Sequence, residues 1–190
     1  KAILSKSAPL ADVFYGVDNT FISRALEAGI FEPYDSPALQ NIPEKYRLDL
    51  GNNLLPVDYG DVCINYDKAY FSNHKLTVPQ TLEDLIKPEY QNLLVMENPA
   101  TSSTGLAFLL ASISHFGQEN YLNYWKSLRS TGLVVVDDWS TAYYTSFSGS
   151  SGHGAQPLVV SYASSPAAEV VYAETALTEA PTGSITSAGT

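Results

Sequence analysis

The feature that most constrains the fold is a repeated order of segments along the chain. Three short apolar runs, residues 93–96, 133–136 and 158–162, are each followed by a polar turn of small residues and then by a helical pattern. Strands that alternate with helices at this spacing predict an α/β fold with a mostly parallel sheet. In such a sheet, ligands bind beyond the carboxyl ends of the strands, where these turns lie.

Other segments extend this pattern toward both ends of the chain. Residues 10–17 predict a buried strand, and Asp18 or Asn19 is expected to cap a helix that ends before Gly29. Residues 31–53 are rich in Pro, Asn and Asp and predict a loop. Two strand pieces are predicted within 54–66, and a Thr81–Asp84 capping box opens a helix over 82–87. Residues 101–105 lead into an apolar helix of about 10 residues that ends near His115. Further helices are predicted over 118–130, 139–147 and 166–172.

Charge and apolar content limit the class of ligand. The 190 residues carry 10 Lys and Arg against 20 Asp and Glu, a formal charge of −10. This balance argues against non-specific binding to nucleic acid and against docking on an anionic membrane. With 45% hydrophobic residues the chain can form a core, and its longest purely apolar run is far too short to span a bilayer. We therefore expect a globular protein that binds a small molecule.

Motifs of metal, nucleotide or covalent chemistry are missing from the sequence. The three histidines are far apart, and the single cysteine, Cys63, lies in an apolar alternation typical of a buried small residue. There is no G-x-S-x-G, P-loop or G-x-G-x-x-G motif. Asp137 and Asp138 are adjacent, a spacing that favours a helix cap plus a solvated charge over an acid–base pair. The sequence predicts no enzyme activity and no cofactor.

Three turns combine polar and aromatic side chains. Thr101 and Ser102 precede an apolar helix, whose first N–H groups suit a phosphate or carboxylate, although a Ser or Thr there can also be an ordinary cap. Trp139 follows two acidic residues and suits a cationic aromatic ligand, or else packs in a core. Tyr162 ends a strand before a Ser-rich helix start. Polar and aromatic side chains recur at all three turns, and this recurrence indicates a ligand site more strongly than any single turn does.

The same residues carry a resemblance to a known family. The chain resembles the thiamine-binding periplasmic proteins of bacterial ABC importers, which have a two-lobed type II periplasmic-binding-protein fold. The resembling stretches are residues 11–19, 57–60 with 65–68, 98–102 with 105–106, 138–140 with 142–143, and 160–162 with 165–167.

The resemblance implies a role for each matched residue. Ser102, with Thr101, would bind the hydroxyethyl or phosphate end of thiamine or a thiamine phosphate. Trp139 and Tyr162 would flank the ligand rings from the second lobe, and Asp18 would lie at the cleft edge of the first lobe. It further implies a monomeric, periplasmic or extracellular, membrane-associated subunit that delivers its ligand to ABC permease subunits.

The resemblance covers the middle of such a protein and implies part of lobe one plus most of lobe two. Residues 1–60 are expected to form a partial first lobe and hinge strand, 61–175 the second lobe, and 176–190 a tail or the start of a return segment. The chain begins at Lys1 rather than Met and ends in a polar stretch, which suggests part of a longer protein.

Other functions remain open on the sequence alone. A binder of the same fold could take ferric ion, for which Tyr143 and Tyr144 are the candidate ligands, or a phosphorylated small molecule. A hydrolase or transferase on an α/β scaffold lacks a nucleophile with an orienting base. A structural fragment without a ligand is the third possibility.

Overall fold

The computed structural model describes residues 2–149 and 153–186, and the chain divides into two compact units. Unit 1 comprises Lys1–Tyr59 and unit 2 comprises Gly60–Thr190. Part of the Gly/Ser-rich segment near residue 150 and the last four residues of the chain lie outside the described residues. Across the ranges described, no helix is both long and apolar enough to cross a membrane.

Unit 1 has one α-helix, α1 (Ile22–Ala28), and three 3₁₀ turns at Ala2–Ser5, Pro37–Asn41 and Glu44–Tyr46. The predicted helix is present, but it begins after Phe21 with no side-chain cap, so the prediction of a cap at Asp18 or Asn19 is wrong. It ends at Gly29 as predicted, where a left-handed backbone (φ 57°) lets the Gly29 N–H reach the Leu26 carbonyl. The predicted strand over residues 10–17 is wrong, because no strand of the described chain pairs with this segment. Its apolar side chains are largely exposed, as Leu10 (84%) shows.

Unit 2 is built on a five-stranded sheet with helices between its strands. In chain order its elements are β1 (Val62–Asp67), α2 (Lys68–His74), β2 (Leu94–Glu97), α3 (Ser103–Phe116), α4 (Tyr121–Ser130), β3 (Val134–Val136), β4 (Leu158–Tyr162), α5 (Ser165–Val171) and β5 (Thr182–Ile185). Short 3₁₀ turns occupy Asp84–Ile86 and Pro88–Tyr90, and a π-helical turn occupies Thr141–Ser146.

The sheet is mixed, which corrects the prediction of a mostly parallel one. The strand order is β3-β2-β4-β1-β5, in which β2 runs parallel to β3 and β4. In contrast, β1 lies antiparallel to both β4 and β5. The α/β architecture stands, because the three strands that precede the polar turns are the parallel ones.

Alternation along the central strands places the core on both faces of the sheet. On β2, Leu94 and Met96 belong to the larger apolar cluster, whereas Val95 belongs to a smaller one on the opposite face. The larger cluster also takes in Phe108 of α3 and Leu128 of α4. The smaller cluster takes in the buried residues of the π-helical turn and is bordered by Trp139, which places that side chain beside the core.

Most predicted helices and strands of unit 2 are present, with shifted ends. The Thr81–Asp84 capping box forms as predicted, since the Thr81 hydroxyl accepts from the Asp84 N–H and the Asp84 carboxylate accepts from the Thr81 N–H, both at 3.2 Å. The turn it opens is a short 3₁₀ segment, Asp84–Ile86, rather than a helix over 82–87. Two elements were not predicted, α2 and β5, and β5 lies in the stretch assigned to a tail or return segment.

Candidate functional site

The three predicted polar turns meet at one edge of the sheet in unit 2. Because β2, β3 and β4 are parallel, their carboxyl ends point the same way, and each is followed by one of these turns. Hydrogen bonds join two of the turns: the Asn98 N–H donates to the Val136 carbonyl at 2.7 Å, and the Thr101 hydroxyl donates to the Asp137 carbonyl at 2.7 Å. Thr101 is thus held by the neighbouring turn while remaining exposed.

The first turn of α3 lies very close to the end of β2. A Cβ placed on Gly105 would be 2.2 Å from the Glu97 carbonyl oxygen, so only glycine permits this approach. Ser102 stands at the N-cap position with an extended backbone, but its side chain makes no capping hydrogen bond. Its hydroxyl instead contacts the Thr104 hydroxyl at 3.0 Å. The ordinary-cap interpretation of Ser102 is therefore wrong, and the N–H groups of this turn are not capped by it.

Trp139 is the centre of an aromatic group on the turn after β3. Its ring stacks on Tyr143, with 4.9 Å between centroids and 17° between planes, and meets Tyr144 edge-on at 5.3 Å. The Tyr162 ring lies 6.3 Å away at a tilt of 49°. The indole N–H donates to the Ser161 hydroxyl at 2.9 Å. Trp139 is half-buried, so it packs beside the core and also reaches the surface.

The acidic pair before Trp139 acts as the sequence predicted. The Asp138 carboxylate accepts hydrogen bonds from the Thr141 N–H at 2.9 Å and from the Thr141 hydroxyl at 2.8 Å, which caps the π-helical turn. These bonds lower the pKa of the Asp138 carboxyl. Asp137 is exposed. The pair is therefore a cap and a solvated charge, and it adds negative charge beside the aromatic group.

Glu97 is a feature of this edge that the sequence analysis missed. It is the last residue of β2, its side chain is fully buried, and neither carboxylate oxygen has a hydrogen-bond partner in the described chain. Burial raises the pKa of the Glu97 carboxyl to about 7. The Thr104 side chain lowers this pKa, and the negative charge of Asp138 raises it by a smaller amount. A charged residue ending an otherwise apolar run was the available signal.

Asp18, the predicted site residue of unit 1, has a local structural role. One carboxylate oxygen accepts from the Thr20 N–H at 3.0 Å, the Thr20 hydroxyl at 2.7 Å and the Phe21 N–H at 3.3 Å, which forms the turn before α1. The four other predicted residues, Thr101, Ser102, Trp139 and Tyr162, all belong to unit 2.

Tyr143 and Tyr144, the candidate ferric ligands, differ in their surroundings. The Tyr143 hydroxyl donates to the Glu169 carboxylate, and burial followed by this hydrogen bond raises the pKa of Tyr143, which disfavours the phenolate. Tyr144 projects at 84° to it and is 52% exposed. The described residues contain no group of three or more His, Cys, Asp or Glu side chains that could hold a metal ion. Burial also raises the pKa of the Cys63 thiol, which leaves it unactivated.

Comparison with known proteins connects this chain to a family. Residues 8–186 match the family model described as bacterial extracellular solute-binding protein. The thiamine-binding periplasmic protein of Brucella suis is 30% identical over 173 residues, 90% of this chain and 48% of that protein. The protein of the same name from Haemophilus influenzae is 32% identical over 158 residues, 82% of this chain and 43% of that protein. The chain thus spans about half the length of these relatives.

Solved structures agree on the fold. A periplasmic thiamin binding protein superposes with a TM-score of 0.76 at 24% identity, over 97% of this chain and 53% of that one. The periplasmic binding protein AfuA from Actinobacillus pleuropneumoniae, with fructose-6-phosphate bound, superposes with a TM-score of 0.71 at 22% identity, over 95% of this chain and 55% of that one. At these identities the likeness concerns the fold, which is that of periplasmic binding proteins with about half their length covered.

Proposed function

This chain belongs to the bacterial extracellular solute-binding protein family, and on that premise we propose that it captures thiamine or its phosphates for an ABC importer. The observation that carries the proposal is the gathering of Thr101, Ser102, Trp139 and Tyr162 around the carboxyl ends of three parallel strands. The relatives named for thiamine binding support the choice of ligand. Binding without chemical turnover is part of the proposal.

The chemistry of thiamine matches the two halves of this edge. Thiamine is a cation with two aromatic rings, and Trp139 offers an indole next to acidic residues, to which a cation is attracted. The hydroxyethyl or phosphate end suits the uncapped first turn of α3, where Thr101 and Ser102 supply hydroxyls. The charge of −10 on the chain favours approach of a cation.

Each site residue has a proposed role. Thr101 and Ser102 bind the hydroxyethyl or phosphate end, Trp139 and Tyr162 flank the rings, and Asp18 lies at the edge of the cleft on the first lobe. In lobe terms, we propose that residues 1–60 form part of lobe one with the hinge strand, 61–175 form lobe two, and 176–190 are a tail or the start of a return segment.

The cellular setting is proposed from the family. The named relatives are periplasmic proteins, and we propose a periplasmic or extracellular, membrane-associated monomer. Its partners are then the permease subunits of an ABC importer, to which it delivers the small molecule.

The test is a fluorescence titration with thiamine on the full-length gene product. The described chain has two tryptophans, and Trp125, whose indole N–H donates to Ser112 at 2.8 Å in the larger core cluster, is the internal control. A Trp125→Phe background leaves Trp139 as the reporter of this chain. Saturable quenching is expected there.

Replacement of Trp139 tests how much this side chain contributes to thiamine affinity. A cation over an indole is worth about 0.5–2 kcal/mol, so Trp139→Ala is expected to weaken thiamine binding by roughly 2- to 30-fold in calorimetry. Trp125→Phe is expected to bind as the parent does. No binding of thiamine, thiamine monophosphate or thiamine diphosphate by the parent at millimolar concentration would exclude the proposed ligand, and a screen of other phosphorylated compounds would follow.

A further inference from the structure

Tyr143 connects the aromatic group of the candidate site to a carboxylate behind it. One face of Tyr143 stacks on Trp139, and the side chain is almost fully buried, with 2% exposure. Its hydroxyl donates a hydrogen bond to Oε1 of Glu169 on α5. The orientation of the ring that supports Trp139 therefore depends on where Glu169 holds its hydroxyl.

Glu169 joins three elements of unit 2 through its two oxygens. While Oε1 accepts from Tyr143 of the π-helical turn, Oε2 accepts from the hydroxyl of Thr182 on β5 at 2.7 Å. Thr182 is 1% exposed, so this bond is also shielded from water. Both carboxylate oxygens are thus occupied, and the Glu169 side chain ties the π-helical turn to β5.

Beside Tyr143, the Trp139 ring is bordered by Tyr144 edge-on and by Tyr162 at a tilt, and one hydrogen bond holds its edge. The indole N–H donates to Ser161, whose hydroxyl contacts the Ser165 hydroxyl at 3.0 Å. One hydrogen bond at the edge allows the ring to rotate about that bond, whereas the stacked Tyr143 ring opposes this rotation. The hydrogen bond at the edge and the stacked Tyr143 ring on the face together hold the indole in one orientation. A side chain that is already ordered loses less conformational entropy when the ligand binds.

We propose that Glu169 is a positioning residue of the ligand site, which orients the Trp139–Tyr143 pair through the Tyr143 hydroxyl and makes no contact with the ligand. The proposal rests on the proposed function for the part that concerns ligand affinity. Its other part, the orientation of Trp139, concerns the protein without ligand. A role confined to joining α5 and β5 would affect stability alone.

The experiment uses the Trp125→Phe full-length protein, in which Trp139 reports on this region. The variants are Glu169→Ala, Glu169→Gln and Tyr143→Phe, with Glu119→Gln, an exposed glutamate between α3 and α4, as the matched control. Tryptophan anisotropy and near-ultraviolet circular dichroism are recorded without ligand. Thiamine affinity is then measured by calorimetry on the folded fraction.

We expect Glu169→Ala and Tyr143→Phe to lower the anisotropy of Trp139 and to weaken thiamine binding about tenfold. Glu169→Gln is expected to restore most of both properties, because the glutamine oxygen can accept from Tyr143 and its amide can donate to the Thr182 hydroxyl oxygen. If Glu169→Ala does not fold, Tyr143→Phe, which removes the hydroxyl that Glu169 accepts from, still decides the result.

The positioning role of Glu169 and the proposed thiamine binding are tested by separate outcomes. If Tyr143→Phe and folded Glu169→Ala keep the parental anisotropy and dichroism of Trp139, Glu169 does not position the ring. If the parent itself binds no thiamine, the proposed function fails, while the measurements without ligand still decide whether Glu169 orients Trp139.

Discussion

Replacement of Glu97 by Gln is expected to change how the stability of the protein depends on pH. The ordinary pKa of a glutamate is 4.5, and burial raises that of Glu97 to about 7 in the folded chain. Between these values the unfolded chain releases the proton while the folded chain retains it. The free energy of unfolding contributed by this residue is therefore largest at low pH and falls as the pH rises from about 4.5 to about 7.

The size of the effect follows from the two pKa values. One pKa unit corresponds to about 1.4 kcal/mol, so a difference of about 2.5 units sets an upper value of about 3 kcal/mol. Gln has nearly the same shape and no titration in this range. The cost of burying its amide is constant with pH, and it cancels when the pH dependence of the variant is compared with that of the parent.

The assay is urea unfolding at half-unit steps from pH 4.5 to pH 8, followed by near-ultraviolet circular dichroism. Relative to the parent, Glu97→Gln is expected to gain about 2–3 kcal/mol of unfolding free energy between the two ends of this range. The general repulsion of a chain of charge −10 acts on both proteins and drops out of the difference. Glu119→Gln, at an exposed position, serves as the control and should show no such gain. Parallel curves for Glu97→Gln and the parent would refute the assignment of a raised pKa to this carboxyl.

Two further predictions concern packing. Gly105→Ala would place a Cβ 2.2 Å from the Glu97 carbonyl oxygen and is expected to lower the free energy of unfolding by about 1–3 kcal/mol or more. The control is Gly60→Ala, whose Cβ would have its nearest atom at 4.0 Å and which should change this free energy by less than about 0.5 kcal/mol. Equal urea midpoints for the two variants would contradict the prediction. Leu128→Ala, at a fully buried position of α4, is expected to cost about 2–5 kcal/mol, and Leu122→Ala on the same helix, 63% exposed, is the control whose thermal midpoint should hardly move.

The elements that the sequence predicted well are those whose signal is local. The apolar helix after the Ser/Thr turn was expected from its length and periodicity, and α3 extends from Ser103 to Phe116. The segment 10–17 has an equally apolar pattern but forms no strand, because a strand also requires a neighbour to pair with. Conversely, β5 contains Thr, Gly and Ser and was missed, since pairing with β1 rather than its own propensity makes it a strand.

The site residues also divide into those that local sequence patterns predict and those that depend on distant partners. Thr101, Ser102 and Trp139 follow strands of a recognisable α/β pattern, so their arrival at one edge of the sheet was predictable. Glu97 and Glu169 were not predicted, because their importance comes from burial and from partners distant in sequence. The antiparallel placement of β1 was equally hidden, since the pattern of a strand does not specify its neighbours.

The position of β1 in the sheet has a consequence for how the protein folds. Of the five described strands β1 is synthesised first, yet both of its partners follow much later. Asn65 bonds to the Tyr162 carbonyl, 97 positions away, and to the Ser184 hydroxyl, 119 positions away. Contacts of such separation slow folding, because a long loop must close before they form. At 5–20 residues per second, a ribosome needs roughly 5–19 s to add the 97 residues from Asn65 to Tyr162, during which β1 has neither of these partners. Among the described strands, β1 therefore stays unpaired on both edges until β4 is made, and the sheet is complete only once β5 has followed.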